Sequence, residues 1–199
     1  MASSQSASGL DAAAVARYAR QIALPEIGPE GQARICAARV LVVGGGMAAE
    51  TAATYLRAAG AGAVIAREAP PGDSAGWLAA LADADLVVRF GFDDDALLSA
   101  SKRLGTPVVV ARAVPVQIDL VSFPRRTPAP ETALDGPVQA ASPAAASASD
   151  VVAGTLAAAE ALIRLAGADG RPAAAGAVRH LRLPLDGAAA LAQEIGGRA

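Results

Sequence analysis

The sequence predicts an α/β fold, a doubly wound and mostly parallel sheet with helices on both faces. Three observations carry this expectation. Short apolar runs alternate with segments of helical spacing along most of the 199 residues. The first run, residues 39–43 (RVLVV), is apolar without alternation, as expected of a strand buried on both faces. That run passes directly into Gly44, Gly45 and Gly46 and then into a helix-forming stretch. A strand–turn–helix unit of this kind presents backbone N–H groups and a positive helix end to a phosphate.

The elements follow in order. Residues 10–24 (LDAAAVARYARQIAL) place Leu10, Ala14, Val15, Tyr18 and Ile22 at spacings of three and four, which predicts one helix. Pro25, Gly28, Pro29 and Gly31 make a turn region before a short helix over 30–37. After the strand at 39–43, residues 47–59 (MAAETAATYLRAA) form a helix that Gly60 and Gly62 stop. Strands are expected at 62–66 (GAVIA), 85–90 (DLVVRF) and 107–111 (PVVVA), with helices at 74–82 and 93–105 between them. The loosely alternating VQIDLVSF, 116–123, reads as an antiparallel addition. Residues 124–148, rich in Pro, Ala and Ser, read as a mobile crossover loop. A long helix over 149–167 is expected to be capped by Ser149 or Asp150. The tail offers a strand at 178–183 and a helix at 187–195. Residues 1–9 read as a disordered lead-in, and 10–199 as a single domain.

Composition excludes several classes. With 17 basic and 19 acidic residues, the net charge of −2 gives no basic excess to recruit nucleic acid or an anionic membrane. Mean hydropathy is positive, yet Glu160, Arg164 and prolines interrupt the apolar stretches before the ~18 residues that a membrane span needs. The first residues lack the charged start and apolar core of a secretory signal, so the expected compartment is the cytoplasm. The single cysteine, Cys36, allows no intramolecular disulfide and no cysteine zinc site, and reads as a small buried residue. Aromatic residues are only 3% of the chain, so the core must be built from small aliphatic side chains; Trp77 is expected in it. The lone His180 reads as structural.

The glycine turn, Gly44 to Ala49, has the pattern G-x-G-x-x-A of a Rossmann-like nucleotide site. A site for NAD would place an acid at the end of the second strand to hold the ribose. That strand ends in Ala66, Arg67 and Glu68, so Glu68 is a candidate for the ribose and Arg67 for a 2′-phosphate.

What precedes the turn is more specific than the turn itself. The stretch RYARQIALPEIGPEGQARICAARVLVVGGG, residues 17–46, closely resembles the start of the ThiF/MoeB/HesA family, bacterial relatives of ubiquitin-activating enzymes. That family opens with an R-Y-x-R-Q-I helix and a P-E-I-G-x-x-G-Q turn, then a strand into G-x-G-G-x-G. The resemblance continues more loosely through AATYLRAAGAGAV, DADLVV, GTPVVVA and SDVVAGTLAAAEALIRLAG, with one large gap. It implies a minimal form of the activating-enzyme fold. It further implies a dimer that binds ATP and Mg²⁺ and adenylates the C-terminal carboxylate of a β-grasp ubiquitin-like or sulfur carrier protein. Gly44, Gly45 and Gly46 would then face the nucleotide, and Asp93 lies near the family's metal position. Arg20 matches the arginine that, in the family, reaches across the dimer into the partner's ATP site.

The same comparison shows five departures. Met47 stands where the family has a glycine beside the nucleotide, and Ala49 where its last glycine packs helix on strand. Ala66 or Arg67 stands where the family has a ribose-binding Asp. Residues 68–84 (EAPPGDSAGWLAALADA) replace a longer segment that carries phosphate-binding Asn, Arg and Lys, and they contain no Lys or Arg. The third strand reads Asp85-Leu86-Val87-Val88-Arg89, with Arg89 in place of a family Asp, and Asp93, Asp94 and Asp95 are either metal ligands or first-turn helix acids. The crossover region offers no cysteine nucleophile and no zinc pairs.

Together these readings predict an adenylation-impaired half of a homodimer or heterodimer, supplying Arg20 to an ATP-competent homologue. The alternatives are an active adenylyltransferase with a rearranged site, an NADP-binding oxidoreductase using Arg67, and a scaffold without nucleotide.

Overall fold

The structure, a computed structural model, describes residues 9–68, 73–91, 95–114, 117–123, 143–167 and 179–184. Its strands are β1 (Arg39–Val43), β2 (Ala63–Arg67), β3 (Leu86–Phe90), β4 (Val108–Val114), β5 (Gln117–Phe123) and β6 (Arg179–Pro184). Its helices are α1 (Ala12–Arg17), α2 (Ala19–Ile22), α3 (Gly28–Ala37), α4 (Gly46–Ala58), α5 (Ser74–Leu81), α6 (Asp95–Leu104) and α7 (Pro143–Ala166).

The strands form one six-stranded sheet in the order β2-β1-β3-β4-β5-β6. β1 to β4 are parallel; β5 is added antiparallel, as expected for VQIDLVSF, and β6 is antiparallel to β5. From β1 the chain steps to β2, then returns past β1 to β3 and goes on to β4. Crossovers between parallel strands are right-handed, so the reversal must move the connecting helices to the other face. The core shows this. Val40 and Val42 of β1 pack with Ala49, Ala52 and Leu56 of α4 and with Ala157 and Ala161 of α7. Leu41 and Val43 pack on the opposite face with Trp77 and Leu81 of α5 and Leu97 of α6. Trp77 is fully buried, as expected.

Small residues let α4 and α7 approach closely. A Cβ at Gly154 of α7 would lie 2.8 Å from Thr51 Cβ and collide with the carbonyl of Ala48, so no larger residue fits there. Ala49, in place of the family's last glycine, is itself buried in the core.

α3 starts at Gly28 instead of residue 30 and β4 runs on to Val114, and two larger boundaries also differ from expectation. The helix expected over 10–24 breaks into α1 and α2 at Tyr18, whose φ of −103° and ψ of 17° lie outside the helical region. The Tyr18 ring sits against Gly60 just past the end of α4: a Cβ there would be 2.5 Å from Tyr18 Cζ. This tertiary contact overrides local periodicity. The last long helix starts at Pro143, not at Ser149 or Asp150, so residues 143–148 belong to α7 and Ser149 is buried within it. Residues 1–8, 124–142 and the helix expected at 187–195 lie outside the described residues. No helix among the described residues is long and apolar enough to cross a membrane.

The entrance turn P-E-I-G-P-E-G-Q has structural work. Gln32, fully buried on α3, donates from Nε2 to Ala59 O at 3.0 Å and so ties α3 to the end of α4. Arg34 donates from Nε to Ala166 O at 3.0 Å and caps the last carbonyls of α7. Cys36 is half-buried instead of buried, 3.6 Å from Gln32 Nε2.

Candidate functional site

In an open α/β sheet, ligands bind outside the carboxyl ends of the strands, where the chain reverses its direction of travel. Here that switch point lies between β1 and β3, and the glycine turn stands on one side of it. Gly44 has φ +134°, and a Cβ on it would come 2.8 Å from Phe90 Cβ at the end of β3. Only glycine closes the crevice so tightly. Gly44 N donates to Arg67 O at 2.9 Å, which ties the turn to β2 as well. Gly45, the N-cap of α4, offers no side chain to its first N–H groups. Nothing lies within 4 Å of a Cβ built on Gly45 or Gly46. The turn therefore keeps open space above unfilled helix donors, which suits an anion. Met47 is 45% exposed, turned outward from the helix start.

The other parts of a nucleotide site are uneven. β2 runs to Arg67, so the charge at the ribose position is positive; Glu68 is exposed just beyond it. Asp93 and Asp94 lie outside the described residues, and Asp95 is the exposed first residue of α6. Among the described residues no group of three or more His, Cys, Asp or Glu is placed to hold a metal ion. The glycine turn thus fits a phosphate, while a metal set to accompany it is not formed by the described side chains.

Arg20 is exposed on α2, which is joined at Tyr18 to the far end of α4. α4 rises about 18 Å from Gly46 to Ala58, and its start is the glycine turn. The structure does not bring Arg20 and Gly44–Gly46 together within one chain.

Two charged features escaped the sequence reading as site elements. Arg89 turns along the sheet: its Nη1 donates to Phe90 O, and its guanidinium lies over Gly91 at the carboxyl end of β3. The signal was a charge inside the apolar run LVVRF. Further along, Asp119 of β5 is fully buried and accepts from Arg112 of β4 at 2.9 Å, from Arg182 of β6 at 2.8 Å and from Gln117 at 2.8 Å. Burial alone would raise the Asp119 pKa, but hydrogen bonds from Arg182, Arg112 and Gln117 outweigh it and hold the carboxyl below its ordinary 3.8. On α7, burial pushes Asp150 above its ordinary value. Gly154, one turn later, touches the start of α4, so Asp150 stands at the same end of the molecule as the glycine turn.

This geometry can be set beside known proteins. No protein-family model matches the chain. The SAMP-activating enzyme E1 of Haloferax volcanii is 46% identical over 56 residues, 28% of this chain and 21% of that enzyme. The bovine adenylyltransferase and sulfurtransferase MOCS3 is 54% identical over 48 residues, 24% of this chain and 10% of MOCS3. Over the matched part, the chain is ThiF/MoeB-like. The matched part spans about a fifth or less of those relatives' length. Among solved structures, PaaA aligns over 100% of this chain and 78% of its own at a TM-score of 0.70 and 14% identity. E. coli MccB with ATP aligns over 92% and 72%, at 0.60 and 15%. These two likenesses show the fold: the ThiF/MoeB-like chain has the Rossmann-like activating-enzyme architecture.

Proposed function

We propose that the ThiF/MoeB-like chain acts in the activation of a ubiquitin-like or sulfur carrier protein as the adenylation-impaired half of a dimer. It presents Arg20 in trans to the nucleotide site of an ATP-competent homologue. One observation carries this reading: Arg20 is exposed at the end of α4 opposite its own glycine turn. That position supports service to a turn of another chain. The relatives named above are an activating enzyme and an adenylyltransferase, which supports the class of reaction.

The chemistry at issue is electrostatic. ATP supplies the α-phosphorus that a carboxylate attacks, and cations must offset the charge that builds on the phosphates. In this chain Gly44, Gly45 and Gly46 would cradle a phosphate. Residues 68–84 bring no Lys or Arg to it. An arginine from a neighbour's entrance helix adds one of the cations that one chain lacks.

The purified chain alone is expected to give no ATP–pyrophosphate exchange with a β-grasp protein as carboxylate donor. Measurable exchange by the chain alone contradicts the impaired-half reading. It would favour an active enzyme with a rearranged site, the reading that the open space above Gly45 and Gly46 supports.

A further inference from the structure

Arg67 and Arg89 come together around the glycine turn in a way that neither strand reveals alone. They are the register partners of Val43 on its two sides, and Val43 is the last residue before Gly44. Neighbouring strands lie about 4.8 Å apart, so the two Cα atoms are roughly 10 Å apart across β1. Registered neighbours in a parallel sheet share a face, and Val43 belongs to the face that α5 and α6 cover. Both arginines therefore rise from that face in the last row of the sheet.

The backbone fixes the turn to both. Gly44 N is bonded to Arg67 O, and Gly44 rests on Phe90 next to Arg89. The Arg89 guanidinium is drawn to the strand end by Phe90 O and lies 3.7 Å from the position of a Cβ at Gly91. Arg67 is exposed on the edge strand. A ligand lying over the strand ends at the switch point would meet one held guanidinium and one exposed one on the α5/α6 side, and the open helix donors of α4 on the other side. Arginine suits this task because its planar donors match phosphate oxygens.

We propose that Arg67 and Arg89 form a phosphate-binding bracket at the mouth of the glycine turn. Its ligand is a nucleotide carrying a phosphate group on that side of β1. Two sources have this chemistry: the ribose 2′-phosphate of a dinucleotide, read at the end of the second strand, and the polyphosphate of a mononucleotide. The bracket shares the glycine turn with the function proposed above but does not involve Arg20. It concerns binding by this chain alone, whereas that function concerns catalysis by a pair, so either can fail without the other.

The test is calorimetric titration of the full chain with NADPH, NADH and ATP·Mg²⁺, repeated for Arg67→Ala and Arg89→Gln. Loss of a charge-assisted hydrogen bond weakens binding by about tenfold or more. Expected is binding of NADPH or ATP that both variants weaken by at least that factor. A preference for NADPH over NADH that Arg67→Ala erases assigns the ribose phosphate. ATP binding that both variants weaken, with NADPH and NADH equal, assigns the polyphosphate. Arg67 is exposed, so its variant stays folded even if Arg89→Gln does not, and circular dichroism checks both. Failure of both NADPH and ATP to bind, or binding that a folded Arg67→Ala leaves unchanged, overturns the bracket.

Discussion

Replacing Arg20 by Ala is expected to abolish adenylate formation by the assembled pair while leaving the pair intact. Arg20 lies on a four-residue helix with no buried side chain, so its removal costs little stability. Its expected work is on a transition state in another chain. Removing one donor from such a charge-stabilising set lowers turnover by about a hundredfold or more. The measurement is ATP–pyrophosphate exchange by the complex captured from the organism's own cells on the tagged chain, with size-exclusion chromatography to confirm assembly. Full activity of the Arg20→Ala complex contradicts the role in trans. The neighbouring Tyr18 separates the two effects. Its ring seats α1 and α2 on Gly60, so its loss should weaken assembly or stability before chemistry.

The second large effect is on stability. Asp119→Ala removes the carboxylate to which Arg112, 9% exposed, and Arg182, 49% exposed, both donate. Breaking a buried charge pair from one side costs about 3–5 kcal/mol, and at this chain length each kcal/mol moves the melting point by about 2–4 °C. A fall of roughly 10 °C in Tm at pH 7 is expected. The pH dependence has a definite sign. The Asp119 carboxyl in the folded chain titrates below its ordinary 3.8. Its stabilisation is therefore present above about pH 4 and is lost as the pH falls through the folded value. The stability gap between wild type and variant should narrow in that acid window. Urea titrations at neutral and acid pH check this, and an equal gap at both contradicts the assignment. Arg182 lies on the edge strand β6, so amide exchange in 179–184 should also quicken in the variant.

Most of the sheet was legible because its strands are continuous apolar runs bounded by glycine or proline, and burial on both faces leaves few other readings. RVLVV and LVVRF became strands within a residue of expectation, and PVVVA became a strand that runs three residues further, to Val114. The break at Tyr18 was not legible, because it depends on Gly60, which is distant in sequence. The start of α7 was hidden by a Pro–Ala–Ser composition that reads as loop. Yet alanine favours helix and proline is tolerated at a helix start. The site was half legible. The glycine turn was legible as the link between a strand and a helix, and Arg67 as a charge opposite to the family's acid; that the turn stands at the switch point needed the strand order. Arg89 was seen only as a departure from the family pattern, because its nearness to Arg67 depends on the register of both strands with Val43. The Arg112–Asp119–Arg182 cluster needed the same knowledge: β4, β5 and β6 align these three residues side by side.

The central claim is that this chain gives an arginine to a site that is not its own. Gly45→Asp tests it most directly. Gly45 has φ −99°, and nothing lies within 4 Å of its Cβ position, so the change is tolerated by the fold. It places a carboxylate where a phosphate would sit. Pyrophosphate exchange by the complex captured on the Gly45→Asp chain is predicted to equal that of the wild-type complex, because the reacting nucleotide lies in the partner. Loss of exchange in that complex would mean that this chain's own glycine turn holds the reacting ATP, and the in-trans account would be wrong.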